Sequence, residues 1–292
     1  MPTLARFPPA LGDWIAAQLA QGWAPPAVVE ALDEQGIPPR ASRAIVGAFE
    51  RARSLGLPPP LHTVELEDIA RLPPGPVLQA AGRAVRVAAR FHRQAGAVLS
   101  GVLDADECAR LIGMARPRLK PSTVVDPATG RDTVTGLRGS LGMFFLPAEN
   151  PLVARIDRLC AELMNLPESH GEGLQLLYYP PGAGSAPHHD YLEPSNQANQ
   201  ASIARSGQRV STLVTYLHEP EGGGETVFPE LGVSVSPQRG NAVYFEYCNE
   251  SGEVDPALLH ASSAVSAGEK WVATKWMRER PFVSAGQAAA LR

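Results

Sequence analysis

After Pro167 the chain breaks into short segments that each read as a β-strand: residues 174–179, 188–191, 209–217, 226–228, 233–235, 241–247, 257–261 and 270–278. Turn-forming glycines and prolines separate them, as in YYPPGAG and GGGETVFP. Many short strands with turns at regular intervals suggest a β-sandwich or jelly roll. Two more strands are expected upstream, in AVRVAARF and GAVLSGVLD. Asp104, with Glu107 three residues on, forms a capping box that opens a helix over 105–115. Cys108, Leu111, Ile112 and Ala115 make the buried stripe of that helix. Residues 126–130 (DPATG) read as a turn. Asn150-Pro151 opens a second helix, with Leu152, Ile156, Leu159, Cys160 and Leu163 at helical spacing. Both helices are expected to pack on one sheet. The fold class is therefore mainly β with flanking helices.

Residues 1–60 have a different texture. Helices are expected over 11–21, 27–35 and 41–55, with prolines before the second and third and a glycine after each. Three short helices bury little on their own, so this region reads as a structural cap or a substrate-recruiting module. Leu57-Pro-Pro-Pro60 and Leu72-Pro-Pro-Gly75 bracket a linker-like stretch. The expected division is a helical region over 1–60, a linker over 61–82, the jelly-roll domain over 83–282 and a tail over 283–292.

Composition narrows the partners. The net charge of −4 over 292 residues is mild, and residues 1–60 carry five arginines against five acids, so no nucleic-acid partner is expected. The N-terminus shows no basic segment followed by an apolar run. No apolar stretch approaches the roughly 20 residues needed to span a bilayer. The three cysteines, Cys108, Cys160 and Cys248, are widely spaced and form no disulfide framework. A cytoplasmic protein without a membrane partner is the expectation. Its oligomeric state is not legible.

The chemistry gathers around His188-His189-Asp190. A strand places residues i and i+2 on one face, so His188 and Asp190 point together and His189 points away. Adding His260 supplies two imidazoles and one carboxylate on one face of a metal. With the remaining positions open, this set suits non-haem Fe(II) that must also take up a co-substrate and dioxygen. The glycine-rich GGGETVFP lacks the strand–helix context and the lysine of a phosphate loop, which argues against nucleotide binding. The polar stretch 193–208, directly after the triplet, has no clear period and is either a lid or a surface loop.

From about Val85 to Arg280 the chain resembles the prolyl 4-hydroxylase family of Fe(II)/2-oxoglutarate-dependent dioxygenases. The resemblance is carried by an ordered series: LKPSTVVDPATG, LRGSLGMFF, HGEGLQLLYYPPG, PHHDY, RVSTLVTYL, GGGETVFP, LLHASSAV and GEKWVATKW. It implies a double-stranded β-helix (jelly roll) and makes His188, Asp190 and His260 the Fe(II) ligands. Lys270, ten residues after His260, would bind the distal carboxylate of 2-oxoglutarate, and Tyr179 would hydrogen-bond it. Thr215 would line the same pocket. Dioxygen would be the second co-substrate, succinate and CO2 the co-products, and ascorbate the reductant. On the substrate side the resemblance retains Arg209 and Trp276. It departs at Ser185, where the family has a tyrosine, and at Arg278, where it has a histidine. No catalytic residue beyond the metal ligands is implied.

The implied activity is hydroxylation of a C–H bond, most readily that of a prolyl residue in a peptide or protein. The departures at Ser185 and Arg278 keep open a non-prolyl or small amino-acid-like substrate. A binding protein on the same fold would have lost a ligand or the lysine, and none is lost. A zinc hydrolase could use the same three ligands but has no reason to keep Lys270 and Tyr179 in register.

Overall fold

A computed structural model describes residues 4–65, 71–91, 96–121, 124–125, 132–133, 139–248, 254–284 and 286. The expected turn at 126–130, most of the tail at 283–292 and His92 lie outside them. The chain divides into two compact units, Met1–Ile69 and Ala70–Arg292.

The first unit holds β1 (Leu4–Arg6), α1 (Pro9–Ala20), α2 (Pro25–Glu34), α3 (Pro39–Leu55) and β2 (Thr63–Glu65). Each helix starts on a proline, whose fixed φ suits the first turn and whose missing N–H would be unpaired there anyway. Gly56 ends α3 at φ 63°, a left-handed position that costs other residues a clash. Contrary to the sequence expectation, this unit has a core of its own. Ile15, Leu19, Val28, Leu32, Ile45, Val46 and Phe49 pack together, with Phe7 5.9 Å from Phe49 between ring centroids. β1 and β2 pair antiparallel and add Ala5 and Val64 to that core. Strands of three residues show no periodicity in a sequence.

The second unit runs through β3 (Val77–Ala80), β4 (Arg83–Phe91), β5 (Gly96–Ser100), α4 (Ala105–Ala115), β6 (Lys120–Pro121), β7 (Val124–Val125), β8 (Asp132–Thr133), β9 (Leu141–Phe145) and α5 (Pro151–Leu163). It continues with β10 (Leu174–Tyr179), β11 (Ser185–His188), α6 (Gln197–Ser206), β12 (Arg209–His218), β13 (Gly222–Gly223), β14 (Thr226–Phe228), β15 (Val233–Val235), β16 (Ala242–Glu246), β17 (His260–Ser262), β18 (Val265–Ala267) and β19 (Lys270–Arg278). Residues 77–80, expected as linker, are an edge strand of the main sheet. They bury Leu78 and Ala80 and expose Val77, an alternation too short to read beside a proline cluster.

A nine-stranded sheet in the order β3-β4-β5-β16-β12-β19-β10-β9-β6 faces a four-stranded sheet, β11-β17-β14-β15. The aromatic rings of Phe228 and His260 on the small sheet pack on Phe245 of the large one, which makes the two sheets a sandwich. On its other face the large sheet carries α4, packed on β12, and α5, packed on β3. The α4 capping box is closed: Asp104 Oδ1 accepts from the Glu107 amide and Glu107 Oε2 from the Asp104 amide, both at 2.9 Å. Cys108 and Cys160 lie in the core beneath these helices, and burial pushes their thiols up to about 11 and about 12, so neither is a thiolate near neutral pH. Among the described residues no helix is long and apolar enough to cross a membrane.

The polar stretch after Asp190 folds as α6. Its N-cap is Asn196, whose Oδ1 accepts from the Asn199 amide at 2.9 Å. Only Ser206 of the helix is fully buried, which explains why no hydrophobic period announces it.

Candidate active site

Two histidines from different strands meet because β11 and β17 pair with His188 opposite His260. Their ring centroids are 4.5 Å apart. The strand ends at His188, and the following turn brings Asp190 back towards both rings. Asp190 Oδ1 lies 3.8 Å from His188 Nε2 and Oδ2 lies 3.7 Å from His260 Nε2. One ligand atom from each of the three residues lies within 4.8 Å of the others, the only such group among the described residues. Each imidazole has its Nδ1 on a backbone carbonyl, His188 on Ala186 at 2.9 Å and His260 on Leu258 at 3.1 Å. That bond fixes Nδ1 as the protonated nitrogen and leaves the Nε2 lone pair for a cation. Phe245 and Phe228 hold the His260 ring, at 4.7 and 5.7 Å.

Asp190 is buried. Burial alone would push its carboxyl up, but His260, His188 and Arg209 nearby outweigh that and hold it at about 2. Thr212 donates to its Oδ2 at 2.7 Å, and the Tyr247 hydroxyl is 3.0 Å from Thr212 Oγ1. Two imidazoles and a carboxylate, all oriented towards one another, fit a divalent metal bound on one face. His189 lies outside this group: its ring stacks on Tyr191 at 4.6 Å and its Nε2 is 3.1 Å from the Pro256 carbonyl.

A second polar feature lies on the same sheet face. Lys270 is 2% exposed and sits opposite Tyr179 in the β10–β19 register. Its Nζ donates to the Gly224 carbonyl at 2.6 Å and to Ser262 Oγ at 2.8 Å, with the Tyr179 and Tyr216 rings 5.1 and 5.8 Å away. Burial lowers its pKa to about 8 against the opposing charge of Glu225. Gly224 is required here: its φ is +75°, and a Cβ would stand 3.1 Å from Lys270 Cδ. Among the described residues no carboxylate forms an ion pair with Lys270. A buried ammonium held by neutral groups is a receptor for an anion.

Thr215 does not belong to this pocket. It pairs with Ala273 and Ala242, so strand alternation turns it to the helix-covered face. Thr212 and Tyr216, an odd number of residues away, reach Asp190 and Lys270 from the other face. The alternation of RVSTLVTYL groups Thr212, Val214 and Tyr216 together, but nothing in the sequence says which face they take.

Arg209 and Trp276 adjoin the metal-ligand group. The Arg209 guanidinium lies over the Trp276 ring at 4.1 Å, donates to the Asp190 carbonyl at 3.3 Å, and makes a two-pronged pair with Glu172 at 2.8 and 2.9 Å. Glu172 was not singled out by the sequence; its position before β10 offers no signal. Its carboxyl would be raised by burial but is lowered by Arg209 and Arg278. Arg278, expected on the substrate wall, is 1% exposed and turns its guanidinium to Glu172 Oε1 at 3.0 Å and to the Ser202 and Gly207 carbonyls. The reason is the long guanidinium stem, which reaches past the groove into α6. Ser185 Oγ accepts from the Ser262 amide at 2.9 Å and stands at the β11–β17 rung next to the lysine's serine partner.

The chain is similar to known proteins. The family described as the 2OG-Fe(II) oxygenase superfamily matches residues 174–278. Prolyl 4-hydroxylase 1 of Arabidopsis thaliana is 39% identical over 198 residues, which cover 63% of this chain and 68% of that protein. The probable prolyl 4-hydroxylase 10 of the same plant is 35% identical over 204 residues, covering 63% and 69%. Among solved structures, the viral collagen prolyl hydroxylase vCPH from Paramecium Bursaria Chlorella virus-1, in its 2OG complex, aligns with a TM-score of 0.50 and 28% identity over 63% of this chain and 95% of that one.

Proposed function

Because the chain belongs to the prolyl 4-hydroxylase family of 2OG-Fe(II) oxygenases, we propose that it hydroxylates a prolyl residue in a peptide or protein substrate. The observation that carries this reading is the pairing of the His188–Asp190–His260 group with a buried Lys270 that lacks a counter-ion among the described residues. Fe(II), when bound, supplies the oxidative chemistry that couples decarboxylation of 2-oxoglutarate by dioxygen to C–H hydroxylation, with succinate and CO2 as co-products.

The chain's own residues bind and orient. His188 and His260 offer Nε2, and Asp190 offers a carboxylate held ionised by its surroundings. Lys270 and Tyr179 receive the distal carboxylate of 2-oxoglutarate. The Tyr179 and Tyr216 rings keep water from that charge pair and so strengthen it. Arg209 and Trp276 form the peptide-side surface. Ascorbate is the reductant in this reading. Three buried, widely spaced cysteines support a reducing, cytoplasmic setting.

Thr212 orients the metal carboxylate. Thr212→Val is expected to weaken Fe(II) affinity by roughly 10- to 100-fold, as lost outer-shell partners do. Metal titration followed by the quenching of intrinsic fluorescence checks this; unchanged affinity removes Thr212 from that role.

The Arg278 guanidinium is taken up by Glu172, Ser202 and Gly207, so its departure from the family speaks less for a non-prolyl substrate. Ser185 remains the one substrate-side departure that favours it. The deciding experiment is succinate release from the protein with Fe(II), ascorbate and 2-oxoglutarate, with and without proline-containing peptides. Stimulation with a gain of one oxygen on proline is the expected outcome. Succinate release that no proline peptide stimulates moves the search to other substrates.

A further inference from the structure

We propose that Arg278 is a positioning residue that clamps α6 to the active site, so that the segment leaving Asp190 is a built wall of the substrate groove. The reading of the groove rests on the proposed function; the clamp itself does not.

The helix is a poor one by its own sequence. A helix of ten residues is marginal in water, and α6 (QANQASIARS) is rich in Asn, Gln and Ser and buries only Ser206 fully. Its order must come from its ends. Asn196 caps the start. At the other end, cations from β19 and just beyond it take up carbonyls of the last turns. Arg278 Nη2 donates to the Ser202 carbonyl at 2.9 Å and to the Gly207 carbonyl at 2.5 Å, and Nε donates to Gly207 at 3.1 Å. Both Nη atoms lie 3.2 Å from Ser202 Oγ. Arg280 Nη2 donates to the Ile203 and Ala204 carbonyls, each at 2.9 Å. Positive charge at a helix C-terminus is favourable in both hydrogen bonding and dipole.

The same guanidinium reaches the site. Arg278 Nη1 donates to Glu172, Glu172 holds Arg209 on two prongs, and Arg209 donates to the Asp190 carbonyl while lying on Trp276. The chain between Asp190 and Arg209 is closed at its base by Gln208, which both accepts from the Leu192 amide at 2.7 Å and donates to its carbonyl at 2.8 Å. The C-terminal end of α6 is thus tied to residues beside the metal-ligand group through a buried fork that a histidine or lysine could not reproduce, and Asn199 and Gln200 hold its start to the Glu193 and Pro194 carbonyls.

The test is Arg278→Gln, with Ser202→Ala as a milder cut from the helix side and Arg278→Lys as the conservative variant. Hydrogen exchange is read over 197–206 and over β12 and β19. In Arg278→Gln the α6 amides are expected to exchange roughly 10- to 100-fold faster, the loss of charged hydrogen bonds converted to an opening equilibrium, while β12 and β19 keep their protection. Ser202→Ala moves α6 in the same direction and less, and Arg278→Lys recovers part of the protection. With a peptide that the wild type hydroxylates, the peptide KM rises in Arg278→Gln and the 2-oxoglutarate KM does not. Wild-type exchange in α6, or acceleration spread evenly over the sheet, overturns the clamp. If Arg278→Gln does not fold, Ser202→Ala decides on the same readout. A wild type that turns over no peptide refutes the substrate reading and leaves the exchange result standing.

Discussion

Alanine at His188, Asp190 or His260 is expected to reduce 2-oxoglutarate turnover to background, while His189→Ala retains most of it. The asymmetry comes from geometry. The three residues place ligand atoms within 4.8 Å of one another, and each imidazole is held at Nδ1 by a backbone carbonyl. His189 is stacked on Tyr191 and directed at the Pro256 carbonyl instead. Loss of one donor from a three-residue set leaves a cation with too few protein ligands, and Asp190→Ala also removes the only negative charge in the set. Succinate release and Fe(II) binding, measured on the same samples with circular dichroism to establish folding, check the claim. Equal loss in His189→Ala would mean that the fourth residue contributes to binding and that the reading of the site is wrong.

Lys270→Ala is expected to raise the 2-oxoglutarate KM by roughly 10²- to 10³-fold, because removing one partner of a buried ion pair costs about 3–5 kcal/mol and each 1.4 kcal/mol is tenfold. Fe(II) affinity without 2-oxoglutarate should stay near wild type, since Nζ hydrogen-bonds to Gly224 and Ser262 and not to a metal-ligand residue. The pH dependence has a definite sign. Burial lowers the free Lys270 pKa from 10.5 to about 8. The ammonium form is the one that binds a carboxylate, so affinity is full below about pH 8 and falls as pH rises through it, by up to about tenfold per pH unit. Folding of the free protein shows the opposite sign, gaining stability between about 8 and 10.5, because the folded state prefers the neutral amine. Saturation curves for 2-oxoglutarate from pH 6.5 to 9.5 test the first statement. A KM that does not change across that range removes Lys270 from the co-substrate site.

Much of this was legible in the chain itself. His188 and Asp190 do meet at one site as expected, but the strand stops at His188 and a turn, not strand alternation, brings Asp190 there. Capping chemistry at Asp104 and Asn150 is local, and α4 and α5 begin where those residues stand. The ordered series of motifs from 119 to 276 was enough to indicate the dioxygenase family, because each motif stands in the sequence itself.

The rest depended on contacts between distant segments. Strand alternation divides RVSTLVTYL into two sets but does not say which set meets the metal; pairing with β16 and β19 does, and it sends Thr215 to the helices and Thr212 to Asp190. The core of the first unit joins side chains of three helices with Ala5 and Val64 of β1 and β2, which pair across those helices in sequence. Helix α6 has no hydrophobic period to read, because its partners are a capping asparagine and two arginines more than seventy residues downstream. Arg278 looked like a groove residue by position and is an interior one by reach. What the sequence by itself determined was residue chemistry and its local periodicity. Which face meets the site, and which charges pair, was decided by tertiary structure, since those depend on packing between segments whose separation along the chain carries no such information.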